Sequence, residues 1–413
     1  MMNRTIRFPS SQKPETPIFT RSLWLLGLVL FFSDANSDAK SDTLFDQPNP
    51  IRDHIPKPGE FLPEGAGVHF SGDLMVIDPI NRRGGLRQGD ATSDPRRHYF
   101  AMLPYGTVYY HGAPADLRDI PIGTHMHGRF LLPMEGEEET IPSLSEAQLK
   151  KNPVGRYNHA FLLEDDATFY SRQGRSWKIL GTEQGGGPAP RLKLSVTPVG
   201  PEIEGGINKP ILFDIDESTR IWQDRRLVGM SAIEPGQAVQ VNLTWGPFES
   251  LATTDVWLDE ASLAAFREIQ RQRHLRLIRS RFMPAWVDSV KNHDTGGGEL
   301  KVTLFAGMDP LLYEELKQTP HPKICDAELT LRTWAYHAEY AVPTERLEWR
   351  ESENPPSGSS GIHLHLSVPQ MLDGFRPGRT VRLKGPWNYV LLPFDEWLVT
   401  PEDFEQASKM RLP

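Results

Sequence analysis

Residues 220–245 read RIWQDRRLVGMSAIEPGQAVQVNLTW, and the pattern inside them recurs along the chain. A short alternating strand, Arg220-Ile-Trp-Gln, ends in a polar turn. Met230, Ile233, Gly236 and Val239 then follow the spacing hydrophobic–x–x–hydrophobic–x–x–Gly–x–x–hydrophobic. Leu117, Ile120, Gly123 and Met126 repeat it at a constant offset of 113, behind the strand Thr107-Val-Tyr-Tyr. Leu372, Phe375, Gly378 and Val381 repeat it again, 142 residues further on. Pro235-Gly236 and Pro377-Gly378 suit a type II turn, because Pro sets φ at its second position and Gly accepts φ > 0 at its third. The strand after each turn alternates, as in Val239-Gln-Val241-Asn-Leu243.

The strands ahead of these turns match too. Trp177–Leu180, Gly185–Gly187 and Leu192–Val196 have counterparts in Trp286–Val290, Gly296–Gly298 and Leu300–Leu304. The expected fold is therefore mostly β, with tandem small OB-like β-barrel units and a linking α-helix. Units are expected near 69–134, 177–247 and 283–388, the third carrying an insertion at roughly 308–358. A unit of about 70 residues buries only about 60% of its unfolded surface, so the units should pack on one another. Short strands with Gly-rich turns close most easily as small barrels. Residues 135–176 read as an acidic connector. Residues 248–282 hold the linking helix, from about Asp259 to Arg281, with Leu263, Phe266, Leu277 and Ile278 as its apolar stripe. A C-terminal tail, 389–413, starts a short helix at Thr400-Pro401. With 36 Pro in 413 residues, a helical bundle is a poor alternative.

The N-terminus predicts the compartment. Arg4, Arg7, Lys13 and Arg21 precede the uncharged run Leu23–Phe32, and Ser33-Asp-Ala35 and Ser37-Asp-Ala39 follow. This is the layout of a secretory signal peptide, expected over 1–39, with a linker over 40–68. The apolar run falls short of the roughly 20 residues that a membrane span needs. The protein is expected to be exported, periplasmic or extracellular. Losing four basic and three acidic groups with the leader takes the net charge from −9 to −10, which disfavours nucleic-acid binding. Cys325 is the only Cys, so there is no internal disulfide and no Cys-based zinc site.

The units resemble the small OB-like β-barrel repeats of uncharacterised exported bacterial proteins, through Thr219-Arg-Ile-Trp222 followed by Ile233-Glu-Pro-Gly-Gln-Ala-Val239. The resemblance implies fold and compartment, and carries no ligand set.

Two His-x-His pairs are the candidate metal ligands, His125 with His127 and His363 with His365. On a strand such a pair places both imidazoles on one face about 7 Å apart, half of a site suited to Cu or Zn. Met126 takes a core slot, and so do Ile362, Leu364 and Leu366, which turns all four histidines away from their cores. His111, Met126 or His321 are candidates to complete a site. Glu164-Asp-Asp166 and Asp214-Ile-Asp216 are carboxylate pairs at strand ends that suit Ca²⁺. Arg267, Arg271, Arg273, Arg276 and Arg279 form a basic stripe open to an anionic surface. There is no nucleophile elbow, phosphate loop, His-Glu-x-x-His or dinucleotide fingerprint. The expected function is a non-enzymatic binding or scaffolding protein outside the cytoplasm, with an unidentified ligand or protein partner. Metal handling through the His-x-His pairs is the alternative, and an enzyme with a site assembled between units is the third reading.

Overall fold

The computed structural model describes residues 47–89, 96–141, 144–185, 191–247, 250–294, 296–326 and 341–387. The expected leader, residues 40–46 of the expected linker and the C-terminal tail lie outside the described residues.

The first barrel is built from β1 (Val68–Asp78), β2 (Arg83–Gln88), β3 (Arg96–Tyr110), β5 (His125–Leu131) and β6 (His159–Asp165), with the short β4 (Ala113–Ala115) hung on β3. Its order is β1-β2-β3-β6-β5 and back to β1, with β3 and β6 parallel. Helix α1 (Glu146–Lys151) precedes β6 and α2 (Asp166–Arg172) follows it. The second barrel uses β7 (Ser176–Gln184), β8 (Leu192–Val199), β9 (Ile211–Ile215), β12 (Ala238–Trp245) and β13 (Leu251–Trp257) in the same circular order, with β9 and β13 parallel. The hairpin β10 (Arg220–Gln223) and β11 (Arg226–Val228) extends it beyond β13. Five strands ordered 1-2-3-5-4, with the third and fifth parallel, make an OB-like barrel.

Helix α3 (Glu260–Arg281) leads to the third sheet, which holds β14 (Met283–Asn292), β15 (Gly298–Phe305), α4 (Pro310–Lys317), β16 (Lys323–Asp326), β17 (Val342–Pro343), β18 (Glu345–Glu351), β19 (Ser359–Val368) and β20 (Thr380–Lys384). Its order is β17-β16-β20-β14-β15-β19-β18, without closure among the described residues. Alternation builds each core. Val239, Val241 and Leu243 are buried in the second barrel, and Leu300, Val302 and Leu304 in the third.

The repeated turn has one geometry in three places. Gly123, Gly236 and Gly378 have φ of 94°, 92° and 78°. Their amides donate to the carbonyls of Leu74, Ile179 and Val287 at 2.8, 2.8 and 2.9 Å. The amides of the same three residues donate back to Thr124, Gln237 and Arg379 at 2.9, 2.9 and 3.0 Å. Each first strand bulges directly after that residue. The turn thus clips the fourth strand of each unit to the first.

The fifth strand of the first barrel, β6, lies inside 135–176, the stretch expected as a connector. The acidic flanks Glu135–Glu139 and Glu164–Asp166 hide the short apolar run Ala160-Phe-Leu-Leu163 from a reading by pattern. Likewise β13 lies within 248–282, ahead of the helix. Helix α3 begins where expected, with Asp259 as its N-cap, and buries Leu263, Leu277 and Ile278.

Candidate functional site

Met126 sits in the core of the first barrel, so β5 turns His125 and His127 outward. Outward is not into water here. Helix α2 and strand β12 cover that face, and the two histidines are only 5% and 3% exposed. Asp166, the first residue of α2, is fully buried beside them. Its Oδ1 lies 2.9 Å from His125 Nδ1 and 3.0 Å from His127 Nε2. Among the described residues these three are the group of His, Cys, Asp or Glu placed to share an ion, with all ligating atoms within 4.8 Å of one another.

Burial opposes charge on every member, and the contacts decide which are charged. Burial works against the Asp166 carboxylate, but the charge and hydrogen bonds of the two imidazoles outweigh it and hold its pKa well below the usual range. Burial also works against a charged His125, yet the neighbouring carboxylate raises its pKa above the ordinary value. For His127 burial prevails and the pKa falls, so its contact with Asp166 is a hydrogen bond rather than an ion pair. His127 Nδ1 faces His69 Nε2 at 3.3 Å, and burial brings His69 down to about 3. The His127 ring stacks on Phe169 with centroids 3.8 Å apart.

The same corner joins the first two barrels. Asp166 Oδ2 accepts from the Leu243 amide at 2.9 Å, and the Ala167 amide donates to Asn242 Oδ1 at 3.0 Å. Asn242 Nδ2 donates to Asp165 Oδ2 at 2.9 Å. Asp73 accepts from the Trp245 amide and from Thr244 Oγ1, at 2.9 and 3.0 Å. Three carboxylates of the first barrel therefore hold one strand of the second.

The structure does not bring the other predicted pair to this place. On β19, His363 bonds Thr303 Oγ1 at 2.8 Å and Ser352 Oγ at 3.1 Å, and His365 meets Glu299 at 2.9 Å. No third metal ligand joins them among the described residues. Met126 is core, His321 is exposed, and His111 occupies a hairpin turn against Tyr110, Trp257 and Phe266. None of the three completes the His125–His127 site. Asp214 is taken by Lys193 and Ser250, and Asp216 by its own turn. The basic stripe is largely neutralised: Arg267 pairs with Glu260, Arg271 with Asp309 and Arg279 with Glu315. A helix face pinned to its neighbours in this way offers an anionic partner little free charge.

A second feature is a cavity of ≈590 Å³ between the first barrel, α3 and the third sheet. Met102, Tyr105, Trp286 and Phe305 give it apolar walls, and Arg82 and Arg382 stand in its lining. Arg82 donates to the carbonyls of Leu103, Pro104 and Gly106 at 3.1, 3.0 and 2.7 Å. Arg382 donates to those of Arg281 and Phe282, and burial lowers its pKa to about 10.

No family model matches the chain, and neither a curated protein nor a solved structure does.

Proposed function

We propose that the protein is an extracytoplasmic, non-enzymatic binding protein that takes a small amphipathic molecule with an acidic group in the cavity between the first barrel, α3 and the third sheet. The observation that carries this reading is the cavity itself. Its ≈590 Å³ falls in the range of small-molecule sites, and its walls combine aromatic faces with the guanidinium groups of Arg82, Arg281, Arg379 and Arg382, which outnumber the carboxylates of Asp116, Glu137 and Asp326. Arginine is the cation best matched to a carboxylate or sulfonate, through its planar fork. The leader expected at 1–39 and the resemblance to exported barrel-repeat proteins support the extracytoplasmic part of this reading. His274, the histidine of the lining, has its Nε2 taken by the Asp309 amide, which favours binding over proton transfer at that atom. The test is a titration with anilinonaphthalene sulfonate, an aromatic probe bearing one anion. Saturable binding of one equivalent, lost in an Arg379→Glu chain that still folds, supports the reading; Arg379 is part of the cavity lining. Binding that fails to saturate, or that ignores the substitution, overturns it. Recovery of the native protein with the cytoplasmic fraction overturns the compartment.

A further inference from the structure

We propose that His125, His127 and Asp166 bind a divalent transition-metal ion of the zinc class in the seam between the first two barrels. The inference is independent of the cavity and of whatever binds there.

The donor atoms come first. His125 Nδ1 and His127 Nε2 both point at Asp166 Oδ1, at 2.9 and 3.0 Å. Ligands about 2.1 Å from an ion at a tetrahedral angle stand about 3.4 Å apart. The two carboxylate–imidazole separations therefore widen by about 0.5 Å to admit the ion, and all three donor atoms already lie within 4.8 Å of one another. Two imidazoles and a carboxylate, with no sulfur, suit Zn²⁺, Co²⁺, Ni²⁺ or Cu²⁺ and not soft Cu⁺.

The surrounding groups are those that metal-binding side chains require. Asp166 keeps its second oxygen on the Leu243 amide, which fixes the carboxylate plane. With His127 Nε2 given to an ion, its Nδ1–H is aimed at His69 Nε2, an acceptor when that ring is neutral. Phe169 stacks on the His127 ring and fixes its tilt.

The barrel plan does not ask for these residues. The repeat spacing puts Ala238 and Gln240 in the second barrel, and Thr380 and Arg382 in the third sheet, where the first has His125 and His127. Glu260, exposed, begins the helix that corresponds to the one Asp166 begins. At the same station Gln240 and Arg382 bond backbone carbonyls ahead of the first strand of their own unit. Among the described residues, only the first barrel replaces that tie with a converging trio.

The full chain, freed of metal with a chelator, is titrated calorimetrically with Zn²⁺, and separately with Co²⁺ under visible absorption. One equivalent of Zn²⁺ is expected, with d–d bands from Co²⁺ bound by nitrogen and oxygen donors. His127→Ala and, independently, His125→Ala should weaken Zn²⁺ binding at least about tenfold, whereas a His363→Ala/His365→Ala chain should bind as the parent does. The cobalt spectrum of the parent chain keeps the test valid if a variant fails to fold. Absence of stoichiometric binding overturns the proposal and leaves a metal-free hydrogen-bonded seam. So does binding that survives both single substitutions, or that is lost with His363 and His365.

Discussion

In the first barrel, the hairpin after β3 turns through His111 and Gly112, whose amides donate to the carboxylate of Asp165 and to Thr168 Oγ1. In the second, the hairpin after β10 turns through Asp224 and Arg225, whose amides donate to Asp259 Oδ2 and Ser262 Oγ at 2.8 and 2.9 Å. All four turn residues have positive φ, as a two-residue hairpin requires. Asp165 and Asp259 are each the N-cap of the helix that follows the fifth strand. One clip of hairpin, Asp and Ser/Thr is thus built twice, and the comparison separates what the barrel needs from what one barrel adds. The clip is architecture. His125, His127 and Asp166, next to it in the first barrel and without like residues in the second, are the addition.

The two N-cap aspartates should differ most when removed. Asp165 is buried and takes the His111 amide, Thr168 and Asn242 Nδ2, so Asp165→Ala orphans several buried donors. A loss of about 4 kcal/mol is expected, the cap plus unsatisfied groups. Asp259 is partly exposed, so water can replace it for Ser262 and for the Asp224 amide, and Asp259→Ala should cost about 1 kcal/mol, the value of an exposed cap. Urea denaturation followed by tryptophan fluorescence compares them. Equal losses would mean that the seam with β12 adds nothing to the first clip.

Acid should act on one barrel before the other. Six of the thirteen histidines lie between Val68 and Asp165, and none between Ser176 and Trp257. His98, between Phe70 and Phe130, is brought by burial to about 4, and His111 to about 3. Both are lower in the folded chain than the roughly 6.5 of an unfolded one. The folded state therefore resists protonation, and its stability is complete above that value and declines as pH falls toward 4. Each histidine should remove about 2 kcal/mol by pH 5. Hydrogen exchange between pH 7 and 5 should show amides of β1–β6 opening while those of β7–β13 stay protected. His98→Phe, which keeps the ring stack, should reduce the pH dependence. Uniform opening of both barrels would contradict the assignment.

What the chain reveals without coordinates follows from the same division. The repeat was legible because its turn demands a glycine at a fixed distance from apolar core positions, and such demands survive in spacing. The outward direction of His125 and His127 was legible from alternation around Met126. Their partner was not. Asp166 stood in view as one of the carboxylates at a strand end, but its meeting with the histidines depends on the antiparallel register of β5 with β6, Met126 opposite Asp165. Register is set by pairing across distant segments and leaves no local trace. The second pair, equally good as a pattern, lies on a strand whose neighbours offer hydroxyls and Glu299 instead. Nor does a run of arginines reveal that Asp309 and Glu315 lie across from it.

The smallest effects should come from the feature that all three units share. At Gly123 and Gly236 an added Cβ meets nothing within 4 Å, so alanine there carries only the cost of the left-handed backbone, about 1 kcal/mol. At Gly378 the added Cβ comes within 3.2 Å of the Pro58 backbone, so Gly378→Ala must also push a packed segment and should cost roughly twice as much. Hydrogen exchange at the amides of Leu74, Ile179 and Val287 reads each turn separately, since each amide donates to the residue after its glycine. The expected result is faster exchange only in the unit that carries the substitution, and most strongly at Val287. A substitution that loosened all three amides together would mean that the units share one cooperative core. One that loosened none would mean that the fourth strand is held to the first by its ladder alone, and that the spacing of the glycines reports a turn preference rather than a structural clip.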